Sequence, residues 1–104
     1  MNEITVEELK RMRDAGEDHQ LIDVREEYEF DAANIGGELI PMGTVPENLD
    51  KISKHKPVII HCKSGVRSAN IVRYLESRGF TNTSNLKGGI FAWIDGIDPS
   101  MSKY

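Results

Sequence analysis

The sequence predicts an α/β sandwich, with helices on both faces of a mostly parallel sheet of about five short strands. Helical and strand patterns alternate along the 104 residues, which is typical of parallel sheets with helical crossovers. The segment PVIIH, residues 57–61, is apolar without alternation, which indicates a central strand buried on both faces. The length fits one domain, over residues 1–104.

The first elements follow from capping residues and hydrophobic spacing. TVEELKRMRDAG, residues 5–16, opens with a threonine and a glutamate at capping-box spacing and ends at a glycine. This pattern predicts a short amphipathic helix. HQLIDVRE, residues 19–26, predicts a brief strand. Asp23 and Arg25 come at or just past its carboxyl end, and we expect them to lie at the rim of the sheet.

The middle of the chain contains three weaker patterns. EYEFDAANIGG, residues 27–37, predicts one or two helical turns ended by glycines. ELIPMG, residues 38–43, predicts a short extended piece that a proline stops. VPENLDKISKHK, residues 45–56, predicts another helix, with proline at an early position and basic residues in its last turn.

The second half of the chain predicts a helix, a strand and a further helix. SANIVRYLESRGF, residues 68–80, places apolar residues on one side and ends at a glycine. TNTSNL, residues 81–86, is a weak strand pattern, and GGIFAWIDGI, residues 88–97, predicts a short apolar helix or turn. Ligands in open α/β folds bind at the carboxyl ends of strands. We therefore expect the site where PVIIH runs into the next loop.

The composition narrows the class of function. The formal net charge is -4 and the basic residues are scattered, so we expect no nucleic-acid partner. No apolar run is long enough to span a membrane, and the N-terminus MNEITVEELK lacks a signal-peptide core. These features predict a soluble, cytoplasmic protein with no membrane partner. One cysteine and three dispersed histidines exclude an internal disulfide and disfavour structural zinc, and we expect no metal and no cofactor.

The only cysteine, Cys62, lies in the octet HCKSGVRS, between the apolar strand and the next helix. A free thiol has a pKa of about 8.5, which a helix N-terminus and nearby cations lower. Lys63 and Arg67 supply the cations, and Gly65 lets successive backbone N–H groups converge on one anion. The octet predicts a reactive thiolate in an anion cradle. The alternative is a surface turn beside an inert cysteine.

The length of the loop bears on which anion it holds. The residues between Cys62 and Arg67 are Lys63, Ser64, Gly65 and Val66. A loop of this length closes tightly around a sulfur atom, whereas phosphate, with its tetrahedral oxygens, needs a wider cradle. The spacing therefore favours sulfur chemistry over phosphate chemistry.

Three motifs, in this order, resemble those of the rhodanese family of sulfurtransferases, and together they cover most of the chain. LIDVREEYEF, residues 21–30, resembles the family's Asp-Val-Arg strand end. VIIHCKSGVRSANIVRYL, residues 58–75, resembles its active-site strand, loop and helix. GFTNTSNLKGGIFAW, residues 79–93, resembles its closing motif. The resemblance implies the rhodanese-like three-layer α/β/α sandwich and a sulfurtransferase activity.

The resemblance also implies a role for each residue of the loop. Cys62 is the nucleophile and takes up sulfane sulfur as a persulfide. Lys63 and Arg67 attract a small anionic sulfur donor such as thiosulfate, and the acceptor is cyanide, a thiol or a protein cysteine. The N–H groups that hold the terminal sulfur belong to Lys63, Ser64, Gly65, Val66, Arg67 and Ser68.

Two other functions would use the same loop. A cysteine-dependent phosphatase or arsenate reductase would need the same thiolate, but the four-residue spacing disfavours it. A non-catalytic module that carries persulfide sulfur for a partner enzyme, or docks onto one, shares its intermediate with the transferase. The sequence leaves transfer and carriage both open.

The polar residues near the loop have simpler interpretations. We expect Asp23 and Arg25 to form a structural ion pair that anchors the first strand, and to support the site without taking part in the chemistry. His61 adjoins the cysteine, but adjacent strand residues point to opposite faces, so we assign it no catalytic role. Trp93 is assigned to the core.

Overall fold

One parallel sheet of five strands organises the protein, in the order β1-β5-β4-β2-β3. The computed structural model describes residues 1–103. The strands are β1 Asn2–Ile4, β2 Gln20–Asp23, β3 Glu38–Leu39, β4 Val58–His61 and β5 Thr83–Leu86. The helices are α1 Val6–Asp14, α2 Glu27–Ala32, α3 Val66–Ser77 and α4 Gly89–Gly96. The predicted α/β fold with a parallel sheet is confirmed.

Side chains that alternate along β4 divide the core into two halves. Ile60 and Cys62, two residues apart, belong to a cluster that α3 completes with Ile71 and Leu75. Ile59 belongs to a second cluster, built with residues of α1 and α4. All of β4 is buried, as predicted for a strand covered on both faces. No helix within residues 1–103 has the length and apolar composition to cross a membrane.

Segment 45–56 does not form the predicted α-helix. The chain forms two 3₁₀-helices there, Met42–Glu47 and Leu49–Lys51, and the basic residues 54–56 follow outside them. Because the helical turns begin at Met42, Pro46 lies past the first four residues, at a position where an α-helix needs an N–H donor, and proline has none. The backbone bonds of this region span three residues instead.

Strand β1 was not predicted from the sequence. It has three residues, two of them exposed, so it shows no hydrophobic pattern. It forms only by pairing with β5, with Glu3 opposite Asn85. An edge strand of this kind is defined by its neighbour and not by its own composition.

Helix α3 begins at Val66, two residues before the predicted start at Ser68. Gly65 directly precedes the helix with φ 103°, a left-handed conformation that side chains other than hydrogen disfavour. The turn at Gly65 lets the helix begin at the next residue, Val66. Arg67 and Ser68 therefore lie in the first turn of α3, where backbone N–H groups have no partner within the helix.

Asp23 and Arg25 form the predicted ion pair at the carboxyl end of β2, and the pair is buried. Both side chains are 0% exposed, and Arg25 Nη2 lies 2.7 Å from Asp23 Oδ2. Arg25 also donates to the carbonyl oxygens of Ala33, at 2.8 Å, and of Glu29, at 3.4 Å. The pair thus fastens α2 to the end of β2.

The N-terminus of α4 packs directly on the loop that follows β4. The Ile90 N–H donates to the carbonyl oxygen of Cys62 at 2.9 Å, and the Phe91 N–H donates to that of Lys63 at 3.1 Å. Gly89 has φ 61°, and a Cβ there would lie 2.5 Å from both carbonyl oxygens. Only glycine permits this approach, which fixes the peptide groups of the loop.

We predict that Gly89→Ala displaces the loop, destabilises the protein by about 1–3 kcal/mol and slows alkylation of Cys62. The added methyl group overlaps two carbonyl oxygens, so the loop must move. Urea unfolding and the rate of reaction with iodoacetamide at neutral pH measure the two effects. Gly43→Ala is the matched control, because a Cβ at Gly43 would meet nothing within 4 Å. Equal behaviour of the two variants would contradict the prediction.

We predict that Arg25→Met destabilises the protein by about 3–5 kcal/mol, because Asp23 is left as an unpaired buried charge. Urea unfolding at neutral pH provides the measurement. Arg78→Met, at an exposed arginine, is the control and should change stability by less than about 0.5 kcal/mol. A loss below about 1 kcal/mol in Arg25→Met would show that the buried pair does not anchor α2.

Candidate functional site

Cys62 directly follows β4, and its sulfur lies inside the loop of residues 62–68. The sulfur accepts hydrogen bonds from the N–H groups of Gly65, at 3.1 Å, and Ser68, at 3.4 Å. The Ser68 hydroxyl lies 3.3 Å from the same sulfur. The residue is 1% exposed. Convergent donors of this kind form a cradle for a negative charge.

The cradle changes the acidity of the thiol. Burial by itself raises the pKa of Cys62, because it disfavours the charged thiolate. Hydrogen bonds from the hydroxyl and N–H of Ser68, and from the N–H groups of Gly65 and Ser64, act in the opposite direction and outweigh burial. The pKa of Cys62 therefore lies below its ordinary value. The loop favours the nucleophilic form of the sulfur.

The other residues of the predicted loop differ in what their side chains contact. Val66 is 68% exposed, so only its backbone faces the loop interior. The Lys63 ammonium lies 5.8 Å from the centre of the Phe91 ring, within the range of a cation–π contact. The structure brings Cys62, Gly65 and Ser68 into direct contact and places the Lys63 ammonium over the Phe91 ring.

Arg67 is paired with a carboxylate that the sequence analysis did not assign to the site. Its guanidinium forms a two-point contact with Glu29, at 2.7 and 2.9 Å. This hydrogen-bonded pair lowers the pKa of Glu29 to about 2 and raises that of Arg67. Glu29 is 2% exposed. Its signal in the sequence was its position just after the end of β2, at the same edge of the sheet as the loop.

Asn85 is a second residue of the site that the sequence analysis missed. Its Oδ1 lies 2.5 Å from Ser68 Oγ, and its Nδ2 donates to the carbonyl oxygen of Gly65 at 3.1 Å. Asn85 is buried near the carboxyl end of β5, and β5 pairs with β4. That pairing brings it to the loop, and strand order was not available from the sequence.

His61 is held away from the sulfur chemistry. Its Nδ1 lies 3.2 Å from the carbonyl oxygen of Cys62, and its Nε2 lies 3.5 Å from the Asp23 carboxylate. Burial lowers the pKa of His61 and outweighs the nearby carboxylate, so the ring is neutral at neutral pH. Asp23, Arg25 and His61 form a buried polar group at the carboxyl ends of β2 and β4.

The comparisons with known proteins agree with this geometry. The model of the Rhodanese-like domain family matches residues 5–95. A protein of Allochromatium vinosum named sulfurtransferase is 37% identical over 94 residues, which cover 89% of this chain and 88% of that protein. The probable adenylyltransferase/sulfurtransferase MoeZ of Mycobacterium tuberculosis is 38% identical over 104 residues. That alignment covers 97% of this chain and only 26% of MoeZ.

The fold comparison gives the same result. The crystal structure of a rhodanese-like domain protein from Staphylococcus aureus superposes with a TM-score of 0.84 and 40% sequence identity. The superposition covers 89% of this chain and 91% of that one. The parallel sheet, the loop around Cys62 and the extent of the family match lead to one conclusion: the chain belongs to the rhodanese-like domain family.

Proposed function

We propose that this protein is a sulfurtransferase that moves sulfane sulfur through a persulfide on Cys62. The observation that carries the proposal is the set of N–H and O–H donors on Cys62 Sγ. They stabilise a thiolate before the donor arrives, and the same groups stabilise an anionic terminal sulfur afterwards. The proposal places this chemistry in the cytoplasm, where a lone thiol remains reduced.

The reaction has two steps, and thiosulfate serves as the example of the donor. The Cys62 thiolate attacks the outer sulfur of thiosulfate, the S–S bond of the donor breaks, and sulfite leaves with the electron pair of that bond. The negative charge then rests on the terminal sulfur of the persulfide. In the second step an acceptor nucleophile, such as cyanide or a thiolate, attacks that terminal sulfur and releases Cys62 as the thiolate.

The proposed roles of the loop follow from its contacts. Cys62 is the nucleophile, and the backbone of the loop binds the transferred sulfur. Lys63 provides positive charge toward an anionic donor. The loop residues assigned to sulfur and donor binding are Lys63, Ser64, Gly65, Val66, Arg67 and Ser68, with Asp23 and Arg25 as supporting residues.

The contact between Arg67 and Glu29 changes the part that Arg67 takes in this proposal. A charge held in a two-point contact with a carboxylate, at 2.7 and 2.9 Å, attracts a distant anion less than an uncompensated charge would. We assign Arg67 first to holding the start of α3 against α2. Its role in attracting the donor is secondary to that of Lys63.

The relatives support sulfur transfer in general. The Allochromatium vinosum protein is named a sulfurtransferase, and the name of MoeZ combines an adenylyltransferase with a sulfurtransferase. This chain corresponds to about a quarter of MoeZ, with 26% of that protein covered. A thiol or a protein cysteine as acceptor, and thiosulfate as donor, are parts of our proposal.

We predict that the wild-type protein gains the mass of one sulfur atom on incubation with thiosulfate and that Cys62→Ser gains none. Cys62 is the only cysteine, so a persulfide has no other place to form. Intact-mass spectrometry before and after treatment with dithiothreitol provides the measurement. A thiocyanate assay with cyanide then measures turnover.

The outcomes separate the three functions. Sulfur uptake with thiocyanate release at enzymatic rates supports the transferase. Sulfur uptake without turnover supports a persulfide carrier. No uptake, together with hydrolysis of an aryl phosphate that Cys62→Ser abolishes, would replace our proposal by a phosphatase.

We predict that the contact between Glu29 and Arg67 makes stability depend on pH in the acid range. The pKa of Glu29 is lowered from 4.5 to about 2, so its contribution is complete above about pH 4.5 and is lost as the pH falls toward 2. The contribution is about 3 kcal/mol. Urea unfolding of Glu29→Gln should show this loss at neutral pH and a flatter acid dependence than the wild type.

Glu27→Gln is the matched control for this experiment. Glu27 is exposed in the same helix, so its substitution changes the net charge equally without removing the contact to Arg67. It should follow the wild-type curve. An acid dependence in Glu29→Gln as steep as that of the control would contradict the prediction.

A further inference from the structure

The Ser68 hydroxyl lies between two acceptors and has one proton to donate. Cys62 Sγ is 3.3 Å from Ser68 Oγ, and Asn85 Oδ1 is 2.5 Å from it. All three residues are buried, so bulk water does not replace either contact. The direction of the hydroxyl proton must therefore depend on which acceptor is stronger.

The Asn85 amide is fixed in the orientation that presents its oxygen to Ser68. Its Nδ2 donates to the carbonyl oxygen of Gly65 at 3.1 Å and lies 3.5 Å from the Glu3 carboxylate. If the amide were turned over, its oxygen would face these two acceptors, and its NH₂ would face Ser68. The contact with Gly65, in the loop, and the contact with Glu3, on the edge strand β1, hold the amide in this orientation.

The charge on Cys62 decides which acceptor receives the proton. An uncharged sulfur, as a thiol or as the inner sulfur of a persulfide, is a weak acceptor, and the hydroxyl donates to Asn85 at the shorter distance. A thiolate is a strong, charged acceptor. The hydroxyl then rotates toward Sγ, and Asn85 Oδ1 loses its donor.

We propose that Asn85 is a positioning residue for sulfur transfer, whose side-chain oxygen holds the Ser68 hydroxyl while Sγ is uncharged and competes with the thiolate for it. The effect of Asn85 on turnover rests on the proposed function. The competition itself concerns only the protonation of Cys62. Asn85 thereby restrains the thiolate, which keeps the sulfur more basic and more nucleophilic than an unopposed cradle would.

Several charged groups lie near Cys62 and Asn85 without contacting the Ser68 hydroxyl. Arg67 faces the sulfur side, where its positive charge is compensated by Glu29. Glu3 faces Asn85 from β1. His61 lies at the carboxyl end of β4 and is neutral. None of these groups contacts the Ser68 hydroxyl, whose contacts among residues 1–103 are with Cys62 and Asn85.

The test is a double-mutant cycle of Asn85→Leu and Ser68→Ala, read by the pH dependence of the iodoacetamide rate. Ser68→Ala removes a donor to the thiolate, so the rate at a pH below the midpoint should fall by about tenfold. Asn85→Leu removes the competing acceptor, so the hydroxyl donates to Sγ. The rate should rise by about threefold with Ser68 present and should not rise in the Ser68→Ala background.

The cycle separates this role from a structural one. Loss of the bond from Asn85 to Gly65 slows alkylation equally in both backgrounds and cancels in the cycle. Equal effects of Asn85→Leu in the two backgrounds, within about twofold, would overturn the proposal. Asn70→Leu, at an exposed asparagine of α3, is the control and should leave the rate unchanged.

The test gives a result even if the protein takes up no sulfur or Asn85→Leu does not fold. Alkylation needs no sulfur donor, so its result stands whether or not the protein takes up sulfur from thiosulfate. If Asn85→Leu fails to fold, Asn85→Val replaces it in the same cycle, because valine suits a buried strand and also lacks an acceptor.

Discussion

The site depends on one constraint: the backbone N–H groups of the loop must point at Cys62 Sγ. Gly65 and Ser68 donate to the sulfur, while α4 binds the carbonyl oxygens of Cys62 and Lys63. The left-handed turn at Gly65 and the first turn of α3 direct the N–H groups of Gly65 and Ser68. A peptide group whose carbonyl is fixed has its N–H fixed on the other side, so α4 directs the N–H groups of Lys63 and Ser64, of which the Ser64 N–H also donates to the sulfur. Helix α4 therefore orients the loop before any ligand binds, and little reorganisation is needed when charge reaches the sulfur.

A second set of polar contacts supports the loop from the opposite side. Arg25, paired with buried Asp23, binds backbone carbonyls of α2 and of the residue after it. Helix α2 carries Glu29, which holds Arg67 in the first turn of α3. The buried pair of Asp23 and Arg25 thus supports the loop through one short helix, α2. The pair acts by position, through the contacts of Arg25 with α2.

The elements that the sequence predicted well are those with their own periodic pattern and clear ends. Helix α1 has its capping residues, and β4 has a continuous apolar run. The failures lie where local pattern is weak or misleading. Segment 45–56 has helical spacing, but the helical turns begin earlier, at Met42, so Pro46 removes a donor from inside them and the segment forms 3₁₀-helices. Strand β1 has no apolar pattern and exists because β5 pairs with it.

The sequence by itself determined the α/β class, the position of Cys62 at the end of the central strand and the turn at Gly65, because each depends on residues close together in the chain. The tertiary structure decided the partners of the loop. Glu29 meets Arg67 across 38 positions, and Asn85 meets Ser68 across 17. Contacts of this kind depend on strand order and helix packing, which no local pattern encodes.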